Sequence, residues 1–334
     1  MAQEEDAEFV YLALELCSCT FDQYVQQQSE RLRPADPQAY LRSVRSIMYD
    51  VVRGVQHLHS LQIVHRDVKP QNVLMDADGK AKISDMGLAK KLDADHASFY
   101  SLELGTCGWQ APEMLQPGGR MTSAVDVFSL GCMLYYAVSG GQHPFGGRFE
   151  RNMRIMEGKP ILDPKKVSLA AMDLVESMIQ NNPEKRPSLG TVLEHPFFWD
   201  EEKGLSFIQD VSDEISKQRE SSPVYAEIER GALRLFQGPT WDPRLDPEVY
   251  SSASSFKRYD TSLVRELLRC IRNMRVHYRE YPAAVQRTIS PQMQLPNDIL
   301  VYFLDERRFP ALLMYAYRIV RQHWRRLDEF VRYF

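Results

Sequence analysis

The sequence predicts a mainly α chain of two domains, and three observations carry that expectation. Its 334 residues exceed the size at which one core usually stops growing, so two domains or one large bilobal unit is expected. Apolar residues recur at helical spacing in two distant segments, 40–59 and 264–278, the signature of long amphipathic helices. From 256 to 334, basic residues outnumber acidic ones by roughly two to one, nearly all of them arginine, although the whole chain carries a net charge of -4. The tail therefore has a different surface chemistry from the middle.

The remaining composition narrows the class. A hydrophobic fraction of 44% with 26% charged residues is ordinary for a folded protein and excludes a fibrous or low-complexity chain. The five cysteines, Cys17, Cys19, Cys107, Cys132 and Cys270, form no C-x-x-C pair, so neither a disulfide framework nor a zinc site is expected, and a reducing compartment fits best. The opening MAQEEDAEF is acidic and has no apolar core segment, so no signal peptide is expected. The most apolar stretch, 125–138, is too short to span a bilayer and contains Asp126, so it reads as a buried helix. The chain by itself is expected to be soluble, with no transmembrane helix and no membrane contact of its own.

Taken in order, FVYLALEL at 9–16 alternates and is rich in aromatic and β-branched residues, which predicts an edge or hinge strand before CSCTFDQYV. Leu41, Val44, Met48, Val51, Val55 and Leu58 give the helix over 40–59. A further helix is expected within 163–188, ending near NNPEKRPS, followed by the packing signal HPFFW at 195–199. Pro223, Gly238, Pro239, Pro243 and Pro247 predict loops. Val264, Leu267, Leu268, Ile271, Met274 and Tyr278 form a core stripe in the last third. Arg265, Arg269, Asn273 and His277 follow at steps of four on an adjoining face, with Arg272 one position round.

The chemistry concentrates in three motifs: IVHRDVKPQNVL, then KISDMGLAK, then GWQAPE. Phosphoryl transfer needs a carboxylate to orient the attacking hydroxyl, a cation near the moving phosphate, and oxygen donors for Mg²⁺. Asp67, Lys69, Asn72 and Asp85 supply those types. In order and spacing the motifs resemble the eukaryotic protein kinase family. The resemblance implies that Asp67 is the catalytic base, Lys69 the phosphate-contacting lysine, and Asn72 and Asp85 the Mg²⁺ ligands. It also implies that Arg66 meets an activation-loop phosphate, that Glu113 pairs with Arg186, and that Asp126 braces the catalytic loop. Glu15 and Cys17 fall at the hinge, where backbone groups meet the adenine of ATP or ADP. Met86 stands where the family has phenylalanine and, being apolar and flexible, is expected to keep the packing role. Ser98 and Ser101 are the candidate phosphorylation sites, with Tyr100 and Thr106 as further hydroxyls nearby. Only eight residues precede the hinge strand. That leaves no room for a glycine-rich loop, a strand lysine and a glutamate helix, so most of the N-terminal lobe is expected to be missing. Phosphotransfer by this chain is left open.

Beyond HPFF the chain continues far past the usual kinase end. HPFFWDEEKGLSFIQDVSDEI, FKRYDTSLVRELLRCIRNMRVHYREYP and RFPALLMYAYRIV resemble the kinase and ribonuclease half of the inositol-requiring unfolded-protein-response sensor family. The resemblance covers essentially the whole chain. It implies a kinase-like C-lobe with its hinge strand over 1–199 and an all-α ribonuclease domain over 200–334. The implied reaction is metal-independent cleavage of RNA stem-loops by attack of a ribose 2′-OH on the adjacent phosphate. No cofactor is implied for that half. The family's catalytic set falls on Tyr259, Arg272, Asn273 and His277: His277 as general acid to the leaving 5′-oxygen, Arg272 as transition-state clamp, Asn273 as phosphate-positioning donor, Tyr259 at the 2′-OH, with acid and base interchangeable. A homodimer or higher homo-oligomer is implied as the active state, and the cytosolic face of the endoplasmic reticulum membrane as the parent protein's location. Two other readings stay open: a Ser/Thr kinase with a non-catalytic dimerisation tail, and an oligoadenylate-activated type of ribonuclease with a pseudokinase.

Overall fold

The computed structural model describes residues 2–5, 10–92, 106–291 and 298–334. Two compact units divide the chain, Met1–Leu193 and Glu194–Phe334. The break falls six residues before the boundary expected from the sequence, because the HPFFW rings pack inside the second unit. His195 and Trp199 both set ring edges against Tyr317, and Trp199 Nε1 donates to the Glu194 carbonyl at 2.8 Å.

In the first unit, strands β1 (Ala2–Glu5) and β2 (Val10–Ala13) pair antiparallel. Strand β3 (Cys19–Thr20) leads into helix α1 (Phe21–Ala35), which a capping box starts: Gln23 N donates to Thr20 Oγ1, and Thr20 N donates back to Gln23 Oε1 at 2.9 Å. Helix α2 (Pro37–Ser60) begins at once, with Asp36 accepting from Ala39 N and proline at its first position. Its buried face is Tyr40, Val44, Ile47, Met48, Val51, Val52 and Val55, close to the expected stripe, with Leu41 and Leu58 at the half-buried margin. After β4 (Ile63–Val64), strands β5 (Val73–Met75) and β6 (Ala81–Ile83) form a hairpin whose turn holds Gly79 at φ 76, and β5 also pairs with β3. Strand β7 (Lys90–Lys91) closes back on β4.

Helix α3 (Pro112–Leu115) comes next, and then α4 (Ala124–Ser139), the expected core helix, buried from Val125 through Ser139. Helices α5 (Arg151–Glu157), α6 (Leu169–Met178) and α7 (Leu189–Leu193) complete the unit. At Gly131 a Cβ would lie 2.7 Å from Met178 and 2.8 Å from Ile179, so only glycine lets α4 and α6 approach this closely.

The second unit consists of helices among its described residues: α8 (Glu201–Lys217), α9 (Pro223–Arg230), α10 (Ala232–Phe236), α11 (Pro247–Phe256), α12 (Val264–His277), α13 (Ala283–Ile289), α14 (Asp298–Leu304), α15 (Leu312–His323) and α16 (Asp328–Val331). Pro223 and Pro247 therefore open helices rather than loops. Proline at the first helical position loses no hydrogen bond and arrives with a helical φ, which overrides its action as a breaker. The whole expected stripe of α12 is buried against α8 and its neighbours. Leu263 offers no side-chain cap to α12; instead the Glu229 carboxylate of α9 accepts from Val264 N at 2.6 Å and Arg265 N at 3.1 Å. Burial raises the pKa of that carboxyl, against these two amide bonds. Among the described residues no helix is long and apolar enough to cross a membrane.

Candidate active sites

In the first unit, the HRD segment lies between β4 and β5, held from below by α4. The buried Asp126 carboxylate accepts from His65 N and Arg66 N, both at 2.9 Å, and faces His59 Nε2 at 2.8 Å. Three contacts on one carboxylate fix the loop backbone, which carries Arg66 at φ 66. Above this anchor, Lys69 Nζ donates to Asp67 Oδ2 at 2.6 Å and also to Thr106 Oγ1, while Thr106 N donates to Asp67 Oδ1 at 2.8 Å. Asn72 Nδ2 donates to both the Asp67 carbonyl and Oδ2 at 2.9 Å. Burial pushes the Asp67 carboxyl up, but the bonds from Lys69 and Thr106 outweigh it and leave the pKa below its usual value.

Because Asn72 spends its amide nitrogen on Asp67, its Oδ1 remains available as an oxygen donor. Asp85 sits at φ 61, exposed, with Oδ1 accepting from Gly87 N at 3.3 Å. Two oxygens on either side of the motif, one amide and one carboxylate, suit Mg²⁺. Arg66 is buried and its Nε donates to the Leu88 carbonyl. Arg186 forms a forked pair with Glu113 at 2.6 and 2.8 Å and also donates to the carbonyls of Ala124, Gln180 and Asn181. Met86 corrects the packing expectation: it is 42% exposed on the 3-10 turn Met86–Leu88, and at that surface position the side chain is not taken into the core. At the hinge, Glu15 is exposed and pairs with Lys82, and the Cys17 thiol reaches the Glu15 carbonyl at 3.8 Å. Ser98 and Ser101 lie outside the described residues.

In the second unit, the segment following α11 runs against α12. Asn273 Nδ2 donates to Tyr259 Oη at 3.0 Å, and Phe256 stacks on the His277 ring at 5.4 Å and 16°. These two contacts gather Tyr259, Asn273 and His277. Burial pushes the Tyr259 phenol up to about 12, against a lowering contribution from the Asn273 bond. His277 Nδ1 lies 2.9 Å from Glu280 Oε1. Arg272 is placed differently: its Nε pairs with Asp213 of α8 at 2.9 Å. The other arginines of the helix are also engaged, Arg265 by Glu220, Arg269 by Glu266, and Arg275 by Ser206 and Gln209.

Four residues contact the two clusters in ways that sequence reasoning did not anticipate. Glu280 follows His277 by three, a spacing that brings side chains together at a helix end and is the signal that could have found it. Phe256 adjoins the motif around Tyr259. Thr106 is legible only as a loop hydroxyl, and Asp213 lies far upstream with no local signal.

Comparison with known proteins agrees with the two units. Residues 2–198 match the protein kinase domain family and 204–334 match the ribonuclease 2-5A family. The class is thus a kinase domain joined to a ribonuclease 2-5A domain, which implies binding of nucleotide, generally with Mg²⁺, and of RNA. The chain is 37% identical to the serine/threonine-protein kinase/endoribonuclease IRE1 of Oryza sativa subsp. japonica, over 99% of this chain and 38% of the relative. It is 39% identical to IRE2 of Homo sapiens, over 95% of this chain and 34% of the relative. A third relative is named the sensor for unfolded proteins in the ER ire1 of Schizosaccharomyces pombe, at 32% identity over 99% of this chain and 33% of that protein. The chain belongs to the IRE1 family, whose motifs it resembles. It spans about a third of the length of these relatives.

Proposed function

We propose that this chain is a serine/threonine kinase/endoribonuclease piece of the unfolded protein response, with an RNA-cleaving helical unit and a regulatory kinase-like unit. The observation that carries the reading is the gathering of Tyr259, Asn273 and His277 by the Asn273–Tyr259 bond and the Phe256–His277 stack. Attack of a 2′-OH forms the 2′-O–P bond and breaks the P–5′-O bond, leaving a 2′,3′-cyclic phosphate and a 5′-hydroxyl. His277 gives its proton to the departing 5′-oxygen. Tyr259, held as a phenol by burial, takes the 2′-OH proton only by passing its own onward to solvent, a relay. Asn273 positions the phosphate, and Arg272 serves as the clamp once it leaves Asp213.

In the kinase-like unit, Asp67 and Lys69 take the base and phosphate-contact roles. Asn72 and Asp85 would hold Mg²⁺, which offsets nucleotide phosphate charge when bound. Glu15 and Cys17 would meet the adenine of ATP or ADP, and Ser98 and Ser101 are proposed phosphorylation sites. The domain division is proposed at 199/200, the RNA substrate as a stem-loop, the active state as a homodimer or larger, and the setting as the cytosolic face of the endoplasmic reticulum membrane. The deciding experiment is stem-loop cleavage in EDTA by wild type and His277→Ala, with end-group analysis and the oligomeric state recorded. Cyclic-phosphate product from the wild type, lost in the variant, supports the reading. Cleavage undiminished in His277→Ala, or none from a verified dimer, overturns it.

A further inference from the structure

We infer that Glu280 is a positioning residue for His277: it fixes the ring's tautomer so that Nε2 is the nitrogen that exchanges protons with RNA. The inference rests on the catalytic reading of His277 and adds to it a second group. A carboxylate only accepts, so the 2.9 Å contact between Glu280 Oε1 and His277 Nδ1 requires the hydrogen on Nδ1. That leaves Nε2 as the nitrogen that gains or releases a proton.

The geometry is held from several sides. His277 is the last residue of α12, and the 3-10 turn Tyr278–Glu280 comes directly after it. Two buried tyrosines pin that turn: Tyr278 Oη donates to the Gln286 carbonyl at 2.8 Å, and Gln286 Nε2 donates to the Tyr281 carbonyl at 2.8 Å. Glu280 is thereby presented from an anchored turn. Phe256, edge-on to Tyr281 at 5.5 Å, covers one face of the imidazole and sets its plane. Other charged groups on the packed elements include Glu248 on α11, Lys257 after it, Arg272 and Arg275 on α12, Arg279 in the turn and Arg287 on α13. Lys257 pairs with Glu266 at 3.6 Å and Arg272 with Asp213 at 2.9 Å. The acidic group in contact with the ring is Glu280.

Both side chains are partly exposed, 38% for His277 and 55% for Glu280, so the expected effects are moderate. The test uses the whole chain with ¹⁵N-labelled histidine, the His277 signals being assigned by their loss in His277→Ala. Long-range ¹H–¹⁵N spectra should show neutral His277 in the Nδ1–H form in wild type and Glu280→Gln, and mostly in the Nε2–H form in Glu280→Ala. This readout needs no turnover. In EDTA cleavage of a stem-loop, Glu280→Ala should lose about tenfold in rate, and Glu280→Gln should keep most of it. An Nε2–H tautomer in the wild type overturns the inference. So does a Glu280→Ala protein unchanged in tautomer and rate while His277→Ala is inactive. Full activity in His277→Ala would instead remove the catalytic reading beneath it.

Discussion

The Asp67 cluster and the His277 cluster belong to one chain but are built on opposite physical terms. Asp67 and Asn72 are 6% and 7% exposed, and Asp67 meets Lys69, Asn72 and Thr106 within a buried network braced by Asp126. His277 and Glu280 stand at a helix end in contact with solvent, and Arg272 is turned to another helix. A buried network fixes its geometry before any ligand arrives, because an unpaired polar group there costs more than the constraint. A solvated pair, even on an anchored turn, leaves its outward atoms open to whatever docks on it. The first cluster therefore resembles a finished frame, and the second a half-assembled one.

The sharpest way to break that contrast is the leaving group. His277→Ala should slow cleavage of ordinary RNA by about 10²- to 10⁴-fold, the span expected of a general acid. With a 5′-bridging sulfur, which departs without protonation, the variant should approach wild type; equal defects on both substrates would assign the proton to another residue. Next in size is the frame of the first unit. Arg186→Ala would strand the buried Glu113 carboxylate and should cost about 3–5 kcal/mol in urea unfolding of that unit, with the second unit's transition unmoved.

A third test uses pH. Burial, with Arg151 alongside, pushes the His143 imidazole down to about 3. A folded pKa below the unfolded value near 6.5 means stability that is complete above pH 6.5 and lost on acidification toward 3, about 3–4 kcal/mol of it by pH 4. His143→Asn keeps an acceptor near Phe145 N and should flatten that slope, as urea midpoints across pH 4–7 would show. Smallest is Tyr259→Phe, which removes the acceptor of the Asn273 bond. It should cost about 1 kcal/mol in thermal unfolding, since the phenol is neutral across the working range; a loss several times larger would mean the second site is as tightly framed as the first.

Legibility in the sequence divides along the same line. Periodicity reveals α2 and α12 because each buries one face along its length. Motif spacing singles out Asp67, Lys69 and Asn72 because that loop is stiff, while Asp126, on α4, comes only from the family resemblance. Periodicity also puts Asn273 and His277 on one face, but it cannot tell that Arg272 turns to Asp213, a choice made by long-range packing. Pro223 and Pro247 look like breakers by residue type, while their position before a helical run makes them starters. Met86 is legible in its chemistry, while its exposure depends on what stands above the turn. The Glu229 cap carries no signal at all, since a carboxylate several helices away in sequence from the end it serves obeys no local rule.

That cap bears on portability. Helix α12 does not own its beginning: the amides of Val264 and Arg265 are satisfied by a side chain borrowed from α9. A peptide copied from α12 alone would fray from its first turn, and a graft of the Asn273–His277 pair onto another scaffold would inherit a helix without a defined start. The smallest transplantable piece of this site is consequently the pair of helices together, with the segment around Tyr259 that α12 meets.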